Sequence, residues 1–236
     1  MKNVKNDNAF VINKYVYFIV ALIIIFIITF MGFVNYINKN DDYNKCFDIN
    51  YNKNDNFVFL GDSITEQYSL DEYYLDLPAV NSGVGGNTTD DILSDMKNRV
   101  YQYNPTKVFI LVGINDLKHE KKPEYIFKNI NKIVDNIKEN RPNTKIYVES
   151  IYPINDSDDE KVKEDSIRNR NNNDIDKINS MLKEKYNNTD VTYIDINSNL
   201  KENNKLKLSY TVDGVHLTPL GYIKVTRLLM PYLINN

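Results

Sequence analysis

The chain has 236 residues, 42% of them hydrophobic, a formal net charge of -3 and a pI near 5.5, which supports one sizeable core and excludes the basic footprint of a nucleic-acid-binding protein. One cysteine, Cys46, rules out an internal disulfide and a cysteine-based zinc site. With only His119 and His216 available, a histidine-rich metal centre is also excluded, so no metal or other cofactor is expected.

Residues 1–14 form a short polar tail with Lys2, Lys5 and Lys14 against Asp7. No charged residue occurs from Tyr15 to Asn38, and Val16 to Val34 is almost pure hydrocarbon, long enough to cross a bilayer as a helix. The expectation is an uncleaved transmembrane signal anchor over 15–37, because a cleaved leader has a shorter apolar core and a small-x-small exit. A short tail inside and the remainder outside is the expected topology, although Lys39, Lys45 and Lys53 dilute the positive-inside signal. Residues 38–55 are rich in Asn, Asp and Lys and read as a flexible linker spanning roughly 20–25 Å as a coil.

From 56 to the C-terminus, apolar runs alternate with helical periodicity, the pattern of a mostly parallel α/β sheet covered on both faces. Phe57-Val58-Phe59-Leu60 is a buried strand that stops at Gly61-Asp62-Ser63. Leu77 to Ser82 leads into Gly83-Val84-Gly85-Gly86, and Asn87, Thr88 and Thr89 offer caps for a helix with Ile92, Leu93, Met96 and Val100 on one face. The strand Lys107 to Val112 ends at Gly113-Ile114-Asn115-Asp116. Pro123 opens a helix carrying Ile126, Phe127, Ile130, Ile133, Val134 and Ile137, and Lys145 to Ile151 is the next strand. Pro153 to Asp165 reads as a charged, solvated loop. A helix with Ile175, Ile178 and Leu182 precedes the strand Val191 to Ile196. A polar stretch then leads to Asp213-Gly214-Val215-His216, and a final helix from Pro219 is expected to bury Tyr222, Ile223 and Leu229.

Strand ends are where open α/β sheets place their ligands, and here they carry Gly-Asp-Ser63, the Gly-rich turn, Gly113-x-Asn115-Asp116 and, before the last helix, Asp213-x-x-His216. Together and in this order, from Asn56 to the C-terminus, these four blocks resemble the SGNH subgroup of the GDSL esterases and lipases. The resemblance implies a flavodoxin-like three-layer α/β/α sandwich and a serine esterase. In it, Ser63 is the nucleophile, His216 the base and Asp213 the residue that orients the imidazole, sitting on the same side of a helical turn. The backbone N–H groups of Ser63 and Gly86 and the side-chain amide of Asn115 form the implied oxyanion hole. Gly86 is preferred to Gly83 and Gly85 because it directly precedes the polar helix start.

Asp116-Leu117-Lys118-His119 offers a second Asp-x-x-His, but its Lys- and Glu-rich surroundings suit a solvated histidine. The Gly-rich turn lacks the Gly-Lys-Ser/Thr ending of a P-loop, which argues against nucleotide binding. The expected activity is removal of a small acyl group, such as acetyl, from a carbohydrate or other alcohol, on the outer side of the membrane. Alternatives are a lipase or lysophospholipase, acyl transfer to a cell-surface glycan, and a non-catalytic surface-binding module. Protein partners and oligomeric state are not readable from the sequence.

Overall fold

The computed structural model describes residues 16–17, 20, 22–32, 55–75 and 77–234. The chain divides into two compact units, 1–50 and 51–236. In the first, residues 22–32 are helical with exposed side chains, including Phe26 and Phe30, whose rings stack. Among the described residues no helix is long and apolar enough to cross a membrane. The expected tail, the remainder of the expected 15–37 span and the linker up to residue 54 lie outside the described residues.

The second unit is built on β1 (Phe57–Gly61), α1 (Ser63–Glu66), α2 (Leu70–Tyr74), β2 (Ala79–Gly83), α3 (Thr89–Ser94), α4 (Met96–Arg99), β3 (Lys107–Leu111), α5 (Ile114–Lys118), α6 (Pro123–Asn140) and β4 (Lys145–Glu149). There follow α7 (Glu164–Ile167), α8 (Asn172–Lys185), β5 (Val191–Ile194), α9 (Asn197–Leu200), the small hairpin β6 (Lys201–Glu202) and β7 (Lys205–Leu206), and α10 (Pro219–Ile234). The main sheet is parallel throughout, in the order β2-β1-β3-β4-β5. This is the flavodoxin-like order, and the chain reverses its direction of winding between β1 and β3, the place where open sheets of this kind take their ligands.

Every residue of β1 and β3 is buried, as expected of central strands covered on both faces. On one face the register partners Phe59, Phe109 and Tyr147 stack ring on ring, with centroids 4.9 and 4.6 Å apart. Tyr68, Tyr74 and Tyr222 extend that aromatic layer beneath α10. Helices α3, α6 and α8 pack against one another to form the other outer layer.

Helix α10 is oriented by its two ends. The Lys107 ammonium, at the start of β3, donates to the carbonyls of Tyr232 (3.1 Å) and Leu233 (2.7 Å), so the helix C-terminus lies at the N-terminal edge of the sheet. At the other end the Tyr222 hydroxyl donates to the Ile64 carbonyl at 2.8 Å. The loop before α10 is thereby carried to the C-terminal ends of β1 and β3.

Three local expectations are corrected. The helix expected over Ile92 to Val100 breaks at Asp95, which has left helical geometry (φ -132°, ψ 31°), although Ile92, Met96 and Val100 are all buried. Ile223 is 37% exposed, because the buried stripe of α10 runs through Tyr222, Val225, Thr226, Leu229 and Leu233 and leaves it on the flank. The fourth strand ends at Glu149 rather than Ile151. Beyond it the main chain is held by side chains: the Ile151 amide donates to Asn179 and the Ile154 amide to Asn172.

Candidate active site

Ser63 is the first residue of α1, set at the C-terminal end of β1 by the abrupt stop of that strand. Asp62 caps this helix, its Oδ1 accepting the Ile64 N–H at 3.0 Å. The second carboxyl oxygen of Asp62 is buried with no hydrogen bond, and burial pushes the group up to about 7.

The His216 ring lies between two oxygens, with Nε2 3.0 Å from Ser63 Oγ and Nδ1 2.7 Å from Asp213 Oδ2. Asp213 reaches this position differently from the expected helical turn. Residues 212–216 form a bend closed by the antiparallel bridge between Thr211 and Leu217. Within it, Asp213 Oδ1 accepts the amides of Val215 (2.9 Å) and His216 (2.8 Å), an Asx-type arrangement. Oδ2 accepts the Ser166 hydroxyl at 2.8 Å as well as the ring. Burial alone would raise the Asp213 carboxyl, but these bonds from the His216 ring, the His216 and Val215 amides and Ser166 hold it well below the ordinary carboxylate range. An ionised Asp213 can only accept, so Nδ1 carries the proton and Nε2 is left to accept from Ser63 Oγ–H.

Gly86 follows β2 in a type II turn in which the Asn87 amide donates to the Val84 carbonyl at 3.2 Å. Gly86 takes the third position of the turn with φ +79°, a backbone conformation that suits glycine. The turn leads into α3, whose N-cap Thr88 forms a reciprocal capping box with Asp91.

Two consecutive residues after β3 fix that turn from the side. The Asn115 Nδ2 donates to the Asn87 carbonyl at 3.0 Å. The buried Asp116 carboxylate accepts both the amide (2.9 Å) and the hydroxyl (2.5 Å) of Thr89. They are aimed there by Gly113, whose φ of +126° turns the chain sharply out of β3. A Cβ at that position would lie 2.7 Å from Ile151 Cδ1 and 2.8 Å from Ile126 Cγ2. The structure therefore brings Ser63, His216 and Asp213 into one hydrogen-bonded chain. It sets the Gly86 turn and Asn115 after β2 and β3, the two strands that flank β1. His119 is exposed at the end of α5, and Asp116 serves Thr89 rather than His119.

Three polar residues that support the site, Arg99 and Arg170 buried and Ser166 half-buried, carry no motif in the sequence. Arg99, 7% exposed, donates to the carbonyls of Gly61 (2.8 Å) and Ser82 (2.5 Å) and to Asn87 Oδ1, clamping the ends of β1 and β2 to the turn. Ser166 reaches Asp213, and Arg170 reaches Asn115 Oδ1 at 2.8 Å. Both come from the segment between β4 and α8, just beyond the Pro153 to Asp165 stretch read in sequence as a solvated loop. Among the described residues no group of three or more His, Cys, Asp or Glu is placed to hold a metal ion.

A serine hydroxyl bonded to an imidazole that is itself bonded to a carboxylate is suited to acyl transfer. Consistent with that chemistry, the sequence model of the GDSL-like lipase/acylhydrolase family matches residues 59–223. An N-acylneuraminate cytidylyltransferase of Streptococcus agalactiae is 28% identical over 180 residues, covering 75% of this chain and 38% of that protein. The human platelet-activating factor acetylhydrolase IB subunit alpha2 is 33% identical over 106 residues, 43% of this chain and 45% of that one. The chain thus spans less than half the length of either relative. Among solved structures, a Streptococcus pneumonia protein described in relation to platelet activating factor superposes with a TM-score of 0.71 at 27% identity, over 87% of this chain and 98% of that one.

Proposed function

From the premise that the chain belongs to the GDSL-like lipase/acylhydrolase family, we propose that it is a carboxylic ester hydrolase working through an acyl-Ser63 intermediate. The observation that carries this reading is the continuous chain from Ser63 Oγ through His216 to Asp213. His216 Nε2 takes the Ser63 proton as Oγ attacks the ester carbonyl. The tetrahedral oxyanion is met by the N–H groups of Ser63 and Gly86 and by Asn115 Nδ2. Collapse breaks the bond to the alcohol, which leaves with the proton from His216, and a water molecule activated by the same nitrogen then releases the acid and restores Ser63.

The substrate of this reading is a short acyl ester, such as acetyl, on a carbohydrate or other alcohol. It is supported by one relative named as an acetylhydrolase and another named for an N-acylated sugar acid. The domain would act beside a membrane, anchored through the apolar segment of 15–37, which is supported by its uncharged sequence and by the exposed hydrocarbon of residues 22–32. The orientation of the reading places the hydrolase on the outer side.

The test is fluorophosphonate labelling of the full chain with the modified residue located by mass spectrometry, together with hydrolysis of p-nitrophenyl esters of increasing acyl length. Labelling at Ser63, abolished in Ser63→Ala and His216→Ala, and turnover that falls as the acyl chain lengthens are expected. A folded protein that is neither labelled nor active would refute the esterase, and a preference for long chains would favour a lipase. Alkali-resistant sedimentation with membranes tests the anchor.

A further inference from the structure

We propose that Arg170 is a positioning residue for the oxyanion hole, holding the Asn115 amide in the orientation and polarisation that catalysis requires. This rests on the reading of Asn115 as an oxyanion donor. An asparagine amide can be turned over at little cost unless its neighbours tell oxygen from nitrogen. Here both ends are specified. Arg170 Nη2 can only donate, and it lies 2.8 Å from Asn115 Oδ1; the Asn87 carbonyl can only accept, and it lies 3.0 Å from Nδ2. Nδ2 spends one hydrogen on Asn87 and has the other for the substrate oxyanion. A turned-over amide would set oxygen against the Asn87 carbonyl and nitrogen against the guanidinium, losing both bonds.

The guanidinium is itself immobile. It is 7% exposed, and Nε donates to the Ile114 carbonyl (2.9 Å) while Nη1 donates to the Ser166 carbonyl (2.5 Å). The segment that carries it is fastened by the amides of Asn155 and Lys163, which donate to the carbonyls of Gly214 (2.8 Å) and Asp213 (2.9 Å). One short stretch therefore touches both Asp213, through Ser166, and Asn115, through Arg170. Withdrawal of electron density from Oδ1 by a positive donor makes the remaining Nδ2–H a stronger donor at the moment charge develops on the substrate. Lysine would keep the charge and lose the planar three-point fork that fixes its place.

The experiment is a double-mutant cycle with p-nitrophenyl acetate, measuring kcat and KM for the full chain, Arg170→Lys, Asn115→Ala and the double variant, with unfolding temperatures recorded in parallel. Asn115→Ala is expected to lower kcat by about 10²–10³. Arg170→Lys is expected to lower kcat roughly tenfold with KM within about twofold, and to cost less than about twofold when Asn115 is already alanine. An equal loss in both backgrounds, or a change confined to KM or to stability, would overturn the proposal. An unchanged kcat in Asn115→Ala would instead overturn the oxyanion reading of that residue. A measurement on the unaltered protein covers the case in which Arg170→Lys does not fold. The Arg170 guanidinium Nη protons, which average by rotation in a free arginine, should resonate separately, and one should shift in Asn115→Ala; an averaged set unaffected by Asn115→Ala would refute the proposal.

Discussion

Asp62 makes stability fall as pH rises, against the usual behaviour of a carboxylate. The group is completely buried, with one oxygen capping α1 and the other without a hydrogen bond, and burial pushes it from the ordinary 3.8 up to about 7. Between those values the folded protein retains a proton that the unfolded chain has released. Its contribution is therefore fully present below about pH 4 and is lost as pH rises through about 7. At about 1.4 kcal/mol per pH unit, a displacement of about three units amounts to a loss on the order of 4 kcal/mol. Glu149 acts in the same direction: burial raises it to about 7, against the opposing bond from the Tyr152 hydroxyl. Asp213 has the opposite sign, because its lowered value gives stability that is present above the ordinary carboxylate range and lost only in stronger acid. Asp62→Asn keeps an oxygen for the Ile64 amide and cannot titrate. Urea unfolding followed at intervals between about pH 4 and pH 8 should show the variant's stability curve flatter than that of the parent by roughly 4 kcal/mol across the window. Parallel curves would refute the reasoning.

Gly113→Ala should destabilise the fold by about 2–4 kcal/mol, read as a lowered unfolding midpoint, since it combines a positive φ with two contacts near 2.7 Å that belong to packed isoleucines. Ser166→Ala removes one of the bonds that hold Asp213 and should lower kcat by roughly two- to tenfold, with about 1 kcal/mol lost in stability. A wild-type kcat in that variant would mean that the Val215 and His216 amides fix the carboxylate by themselves. His119→Ala should leave hydrolysis within about twofold of the parent, because the residue is exposed and Asp116 is engaged by Thr89; a loss comparable to that of His216→Ala would reopen the choice of base.

The parts of the fold legible in the sequence were those written by a single physical rule. The apolar runs of β1 and β3, bounded by turn residues, read as buried strands, and Pro123 followed by isoleucines at helical spacing reads as a covering helix. Ser63, Asn115, Asp213 and His216 were legible because each sits within a short block at the end of a strand or before a helix. Arg99, Ser166 and Arg170 were not, because their roles depend on partners far away in the chain: a buried arginine bonded to carbonyls looks, in sequence, like a solvated one. Arg170 lies in Arg168-Asn169-Arg170-Asn171, where only the fold distinguishes the side chain that turns inward. The break at Asp95 was hidden for a related reason, since Ile92, Met96 and Val100 keep helical spacing on both sides of it.

Helix α10 has a consequence for the life of the polypeptide. In the proposed mechanism the nucleophile comes from the first strand turn of the domain and its base from the loop before α10, 153 residues later. That loop reaches Ser63 because α10 is fastened at one end to Ile64 and at the other to Lys107. During synthesis the serine is therefore made, and its strand can pair, long before anything can take its proton. On the proposed mechanism a chain halted before α10 would carry an inert hydroxyl, and hydrolytic power would switch on only when α10 docks.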